Sequence, residues 1–269
     1  MLLTVNGHPT YCYTGGKPFD AAKPSVVFIH GVLNDHSVWI LQSRYFAHHG
    51  WNVLAVDLPG HCRSAGDPAA TVEEAADFVV ALLDAAGLAQ AVLVGHSFGA
   101  LVALEAVARA PARVRQLVLV GVAAPMKVSP ALLEASVNEP MKALTMVNVF
   151  SRSTLAPPPS ALGPGTWVYG ASLALGRRVL ASNRKVNLFH TGFLACDRYT
   201  GAEAAMERVT CPVLFLLGSQ DQMTPPKAAQ TLVAKARDGR VVLLPGGHHQ
   251  MTETPEAMLT ALTSFLNRS

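Results

Sequence analysis

The chain has 269 residues, enough for a large α/β domain with its own core and too many to depend on disulfides. Its 21 Lys and Arg against 18 Asp and Glu give a formal net charge of +3 without a basic run, which disfavours nucleic acid as a partner. Charged residues make up 14%, against roughly 25% in an average soluble protein, and apolar ones 50%. A pocket for an apolar ligand is compatible with that surface.

No run approaches the ~20 apolar residues that a membrane helix needs, and Met1 to Gly7 turns polar too early for a secretory signal. A cytoplasmic chain without a membrane span is therefore expected. Cys12, Cys62, Cys196 and Cys211 are far apart and lack CxxC or zinc-finger spacing, so they read as reduced, structural thiols.

In chain order, Leu3 to Tyr13 carries an Asn6-Gly7 pair suited to a hairpin turn, which predicts an antiparallel edge. Runs rich in Val, Leu and Ile follow at Val26–His30, Asn52–Asp57, Ala91–Gly95, Gln116–Gly121, Pro212–Gly218 and Arg240–Leu244. Such runs, alternating with helical stretches, predict a mostly parallel central sheet with helices on both faces. Thr71 to Ala86 opens with Thr71 and Glu74 in capping-box spacing and is stopped by Gly87. Phe98 to Ala110 reads as a helix up to Pro111, and Thr224-Pro225 and Thr254-Pro255 each place an N-cap before a first-turn proline. The alternation breaks from Pro125 to Val209, where helical segments flank the loop Pro157–Gly165. This predicts core residues 1–124 and 210–269 around an inserted helical cap, 125–209; the alternative of a separate domain is disfavoured because strands resume after it and need the first sheet to complete their burial.

Gly95-His96-Ser97-Phe98-Gly99 lies between a strand and a helix, the setting in which G-x-S-x-G forms a nucleophile elbow. The two glycines leave room for a sharp turn that exposes Ser97 Oγ. A serine needs a base, and the base an orienting carboxylate. Asp221 stands three residues beyond Gly218, after one late strand, and His248 follows the Pro245-Gly246-Gly247 turn after the next. His249 is the alternative base and Asp57 the alternative acid. Asp221 could instead only cap the next helix or pair with a surface cation. His30 and His61 read as loop organisers, and His96 as a support directed away from the site.

These segments are joined by His30-Gly31, by Asp57-Leu58-Pro59-Gly60-His61, by Met223-Thr224-Pro225 and by Gly247-His248 preceding Glu253-Thr254-Pro255-Glu256. Together they resemble the α/β-hydrolase fold superfamily, specifically small bacterial serine esterases and lactonase-like members with a helical lid, over nearly the whole chain. The resemblance implies an α/β-hydrolase fold and cleavage of a small carboxylic ester or lactone through an acyl-enzyme, with Ser97, Asp221 and His248 catalytic. It implies backbone N–H groups of Val32 and Phe98 as the oxyanion hole and no metal or organic cofactor. His248 is preferred because it directly follows the glycine turn and stands five residues before Glu253, as in the family. Two departures are Cys62, where many members have glycine, and the doubled histidine at 249.

Met126, Met141, Met146, Phe150, Trp167, Phe189 and Met223 are candidates for an apolar acyl pocket, the alternative for each being ordinary core. C–C bond hydrolysis, thioester cleavage and perhydrolysis would use the same residues. A haloalkane dehalogenase would need a carboxylate at position 97. A slowly turning-over ligand receptor is the reading from another class, and loss of a triad member, absent here, would favour it. The partner expected is a small apolar ester-type molecule, with the oligomeric state, monomer or homodimer, left open.

Overall fold

A computed structural model describes residues 1–20, 22–153 and 167–267. The loop expected at Pro157–Gly165 lies outside the described residues. The sheet has eight strands: β1 (Leu2–Val5), β2 (His8–Tyr13), β3 (Ser25–Ile29), β4 (Asn52–Val56), β5 (Ala91–His96), β6 (Val114–Val120), β7 (Val213–Gly218) and β8 (Gly239–Leu244). Their order is β1-β2-β4-β3-β5-β6-β7-β8. The first two strands pair antiparallel, β2 joins β4 antiparallel, and every later pair is parallel. Asn6 (φ 50°) and Gly7 (φ 80°) make the β1–β2 turn, both in the left-handed conformation that a tight hairpin requires.

The apolar runs supply two cores because successive strand residues point to opposite faces. Val27, Ile29, Leu93, Leu119 and Phe215 face one layer, and Val26, Phe28, Val94, Val120 and Leu214 the other. Helices α1 (Ile40–His48) and α11 (Pro255–Leu266) cover the second layer. On the first lie α2 (Val72–Ala85) and α3 (Phe98–Arg109). Val72, Ala75, Ala76, Val79, Leu82 and Leu83 recur at helical spacing along the buried face of α2. Each fully buried Val or Leu there contributes about 1.5–3 kcal/mol. Thr71 Oγ1 accepts from the Glu74 N–H at 3.1 Å, and Gly87 ends the helix region at φ 66°.

Between β6 and β7 run α4 (Pro130–Asn138), α5 (Pro140–Phe150), α6 (Val168–Ser182), α7 (Leu188–Arg198) and α8 (Ala202–Arg208). The first four enclose a core of their own built on Leu132, Leu144, Val179, Leu188, Phe189 and Phe193. Arg178 on α6 pairs at 2.7 Å with the buried carboxylate of Asp35, in the loop after β3. By contrast α8, inside the span expected as cap, packs on α3 and on α9 (Gln230–Lys235). Its Ala205 and Met206 belong to the core under the sheet.

The segment expected to begin a helix at Thr224-Pro225 instead forms a 3₁₀ turn, Pro226–Ala229, before α9. Its physical reason is that the Thr224 hydroxyl is engaged by Asp221 and Gly121 and caps nothing. Thr254 does precede Pro255 at the start of α11, but its hydroxyl donates to the Gln250 carbonyl. That carbonyl lies in α10 (Gln250–Glu253). No helix among the described residues is long and apolar enough to cross a membrane.

Candidate active site

The chain leaves β3 towards β4 on one side and reaches β5 on the other, so the carboxyl ends of β3 and β5 flank the crevice where the strand order reverses. Ser97 stands at that crevice, one residue past β5, at φ 55° and ψ −118°. A non-glycine residue held there is strained, and the surrounding bonds hold it: its N–H donates to the Val120 carbonyl at 2.9 Å, and its carbonyl accepts from the Ala100 N–H at 2.9 Å. A Cβ at Gly95 would overlap the Gly99 carbonyl oxygen, and one at Gly99 would come within 2.6 Å of the His30 carbonyl oxygen. Both glycines are therefore required for α3 to pack this close to β3 and β5.

Asp221 and His248 come from the loops after β7 and β8. These loops meet because Gly218 has no side chain to overlap the Gly247 carbonyl. His248 Nδ1 lies 2.8 Å from Asp221 Oδ2, with both residues buried. Asp221 Oδ1 accepts from the N–H groups of Met223 (2.9 Å) and Thr224 (2.8 Å). The Thr224 hydroxyl is 2.8 Å from Asp221 Oδ2. Burial pushes the Asp221 carboxyl up, but the adjacent His248 and these donors outweigh it and hold it below its ordinary value. The His248 N–H donates to the Ser151 carbonyl at 2.7 Å, and its own carbonyl accepts from His96 Nε2 at 2.9 Å. His96 thus braces His248 from behind, with its ring 4.7 Å away.

The alternatives lie elsewhere. His249 is half-buried, its ring 5.6 Å from that of His96 and outside the cavity that His248 lines; desolvation, then the Arg152 charge, lowers its pKa well below the usual value. Asp57 Oδ1 accepts from His36 N (2.8 Å) and Nδ1 (2.7 Å). His30 Nδ1 donates to the Gly31 carbonyl while its Nε2 accepts from the Leu58 N–H, and His61 Nδ1 donates to the Pro59 carbonyl. Asp35, His36 and Asp57 form a cluster of metal-ligand type. Arg178, Ser37, Arg63 and the His36–Asp57 contact already engage their oxygens.

Ser97 and His248 line one cavity of about 200 Å³ together with Met126, Met146, Phe150 and Met223. No hydrogen bond joins Ser97 Oγ to His248 among the described residues. Three pocket candidates fall elsewhere. Met141 and Trp167 are 40% and 63% exposed, and Phe189 is buried in the core shared by α4 to α7, against Phe193. On α5, Met146 and the 47%-exposed Phe150 line the cavity, whereas Met141 does not. Leu132, Phe193, Cys196 and Thr224 also line the cavity, unforeseen from sequence. The sole available signal was the helical spacing of Phe189, Phe193 and Cys196, which marks a buried stripe without saying what it faces.

Phe98 is the first residue of α3, so its N–H has no partner in the helix. The Val32 N–H likewise meets no acceptor among the described residues. Val32 follows Gly31, where a Cβ would lie 3.2 Å from the Ser97 Cβ. Cys62 adopts φ 46°, the left-handed conformation glycine favours, with its N–H donating to Ser182 Oγ at 3.0 Å. Burial pushes the Cys196 thiol well up, which keeps it protonated and unreactive.

The family model described as the alpha/beta hydrolase fold matches residues 24–255. The chain is 31% identical over 262 residues to a non-heme chloroperoxidase of Streptomyces lividans, covering 90% of this chain and 91% of that protein. It is 29% identical over 242 residues to a pimeloyl-(acyl-carrier protein) methyl ester esterase of Neisseria meningitidis, covering 86% and 72% respectively. The crystal structure of the enol-lactonase of Burkholderia xenovorans LB400 shares the fold over 100% of both chains, with a TM-score of 0.82 at 22% identity. A match running from before β3 to the start of α11, on a sheet of this order, means that the chain belongs to the α/β-hydrolase fold family.

Proposed function

We propose that the chain is a serine hydrolase that cleaves a small carboxylic ester or lactone with an apolar acyl part, through an acyl-enzyme. The observation that carries this reading is the buried His248–Asp221 pair, 2.8 Å apart, whose histidine lines the same apolar cavity as the strained Ser97. Ester- and lactone-cleaving relatives support the ester class.

Ser97 Oγ attacks the carbonyl carbon while its proton passes to His248 Nε2. Asp221 accepts from Nδ1–H and so keeps Nε2 as the basic nitrogen and stabilises the imidazolium. The oxyanion receives the N–H groups of Val32 and Phe98, at the end of a helix whose dipole is positive there. The alcohol leaves with the proton from Nε2. Water, deprotonated by the same nitrogen, then attacks the acyl carbon and releases Ser97. Loss of one oxyanion donor would lower turnover ~10²–10³-fold. Met126, Met146, Phe150 and Met223 supply a deformable apolar wall. Within the 125–209 insertion, helices α4 to α7 act as the cap over the site, between core parts 1–124 and 210–269.

Perhydrolysis at the same residues is a second reading, favoured by the relative that bears the name chloroperoxidase. Hydrogen peroxide would then replace water as acyl acceptor and yield a peracid. The test is p-nitrophenyl acetate, butyrate and hexanoate, a lactone, and acetate with peroxide, given to wild type and Ser97→Ala. Ester turnover abolished by the substitution is expected. Ester turnover surviving at wild-type rate would overturn the reading, and a peracid product exceeding ester turnover would select the second.

A further inference from the structure

We propose that Thr224 is a positioning residue that tunes how tightly His248 holds its proton, by donating its hydroxyl hydrogen to Asp221. The inference rests on the triad reading above and deepens it. Thr224 Oγ1 is buried within reach of three groups: Asp221 Oδ2 at 2.8 Å, the Gly121 carbonyl at 3.0 Å and His248 Nδ1 at 3.0 Å. A hydroxyl has a single hydrogen to give. The carboxylate is the nearer acceptor and the charged one, and hydrogen bonds to ionised acceptors are about twice as strong as neutral ones. Asp221 then carries four donors: the Met223 and Thr224 N–H groups on Oδ1, and the Thr224 hydroxyl and His248 Nδ1–H on Oδ2.

Every further donor disperses the carboxylate charge and weakens its pull on the imidazolium. Removing the hydroxyl leaves more charge facing Nδ1, so His248 holds its proton to higher pH. The other groups around the imidazole do not replace it. His96 on β5 and His249 next in the chain are held neutral by burial. Arg152, after α5, acts on His249, Lys127 across the cavity donates to the Asp197 carbonyl, and Glu253 on α10 is engaged with Gly247 and Ser153.

Thr224→Val keeps the shape and deletes the donor. The pH dependence of kcat/KM for p-nitrophenyl butyrate reports the free enzyme's base. Its acid limb is expected to move up by about half a pH unit, KM at high pH staying near wild type, and Thr224→Ser should restore the wild-type profile. A folded Thr224→Val enzyme whose profile superimposes on wild type would overturn the proposal. Thr224→Ala makes the same test if the valine variant is not recovered folded. Loss of activity in Ser97→Ala is measured alongside, so that an unshifted profile in an enzyme still dependent on Ser97 refutes the tuning alone.

Discussion

The Ser151 carbonyl, just past α5, accepts a 2.7 Å hydrogen bond from the N–H of His248. Beside it, Glu253 Oε2 accepts from the Ser153 N–H at 2.9 Å, the Ser153 hydroxyl at 2.5 Å and the Gly247 N–H at 3.3 Å. The end of α5 and the loop carrying the imidazole are thus joined through the buried Glu253 carboxylate. Glu253→Ala strips three donors of their acceptor, and leaving the buried one, the Gly247 N–H, unpaired costs about 1–3 kcal/mol. A lower melting temperature is expected, with kcat for p-nitrophenyl butyrate falling more than KM changes. Thermal melts and Michaelis curves check this, and an unchanged pair of values would contradict it.

Two glycines at helix ends should respond very differently to alanine. A Cβ at Gly99 meets the backbone of β3, which cannot move aside, whereas one at Gly87 meets nothing within 4 Å. Gly99→Ala should cost about 3 kcal/mol or more, or abolish folding. Gly87→Ala bears only the left-handed strain at φ 66°, about 1–2 kcal/mol. Urea midpoints for the two variants test the ordering, and a larger loss in Gly87→Ala would contradict it.

These contrasts show what was legible in the sequence. Short Val- and Leu-rich runs are buried on both sides, so they declared the parallel strands, and Asn6-Gly7 declared the hairpin that precedes them. The elbow was readable because its glycines are demanded locally by β5 and α3. Long-range competition was not readable: Thr224 looks like an N-cap until the Asp221 carboxylate claims its hydroxyl. Helical spacing marks Phe189 and Met146 alike as inward-facing. Whether inward means the core shared by α4 to α7 or the cavity depends on which helix packs opposite, and no residue near either one encodes that. For the same reason α8 could not be told from the four helices that precede it.

Stability should decline in acid. Burial lowers the pKa of His30, that of His61 to about 4, that of His96 to about 3, and that of His249 well below its ordinary value. A histidine with a folded value below its unfolded one takes up its proton in the unfolded chain first. Stability is therefore lost from about pH 6.5 downward, by up to about 1.4 kcal/mol per pH unit for each group. Asp35 acts in the same direction at lower pH. Burial raises it, but hydrogen bonds from Ser37 and Arg178 outweigh that and hold it at about 2. Its contribution is present above about pH 4 and fades as the pH falls towards its folded value. Urea midpoints at pH 7.5, 6 and 5 should fall in that order, and a flat series would contradict this account.

Acyl length should be set by the methionine wall. Met146 lines the cavity of about 200 Å³, and Met146→Trp would fill part of it. A methylene in an apolar pocket is worth about 1–3 kcal/mol, so kcat/KM for the hexanoate ester should fall at least about tenfold while the acetate is little changed. Equal losses on both esters would show that Met146 does not bound the acyl site.

An acyl-enzyme mechanism requires a covalent bond to Ser97. Wild-type protein mixed with p-nitrophenyl butyrate, quenched in acid within one turnover and digested, should yield a butyrylated peptide with the ester on Ser97, and Ser97→Ala should yield none. A butyryl group found on another residue, or catalysis undiminished in Ser97→Ala, would contradict the account.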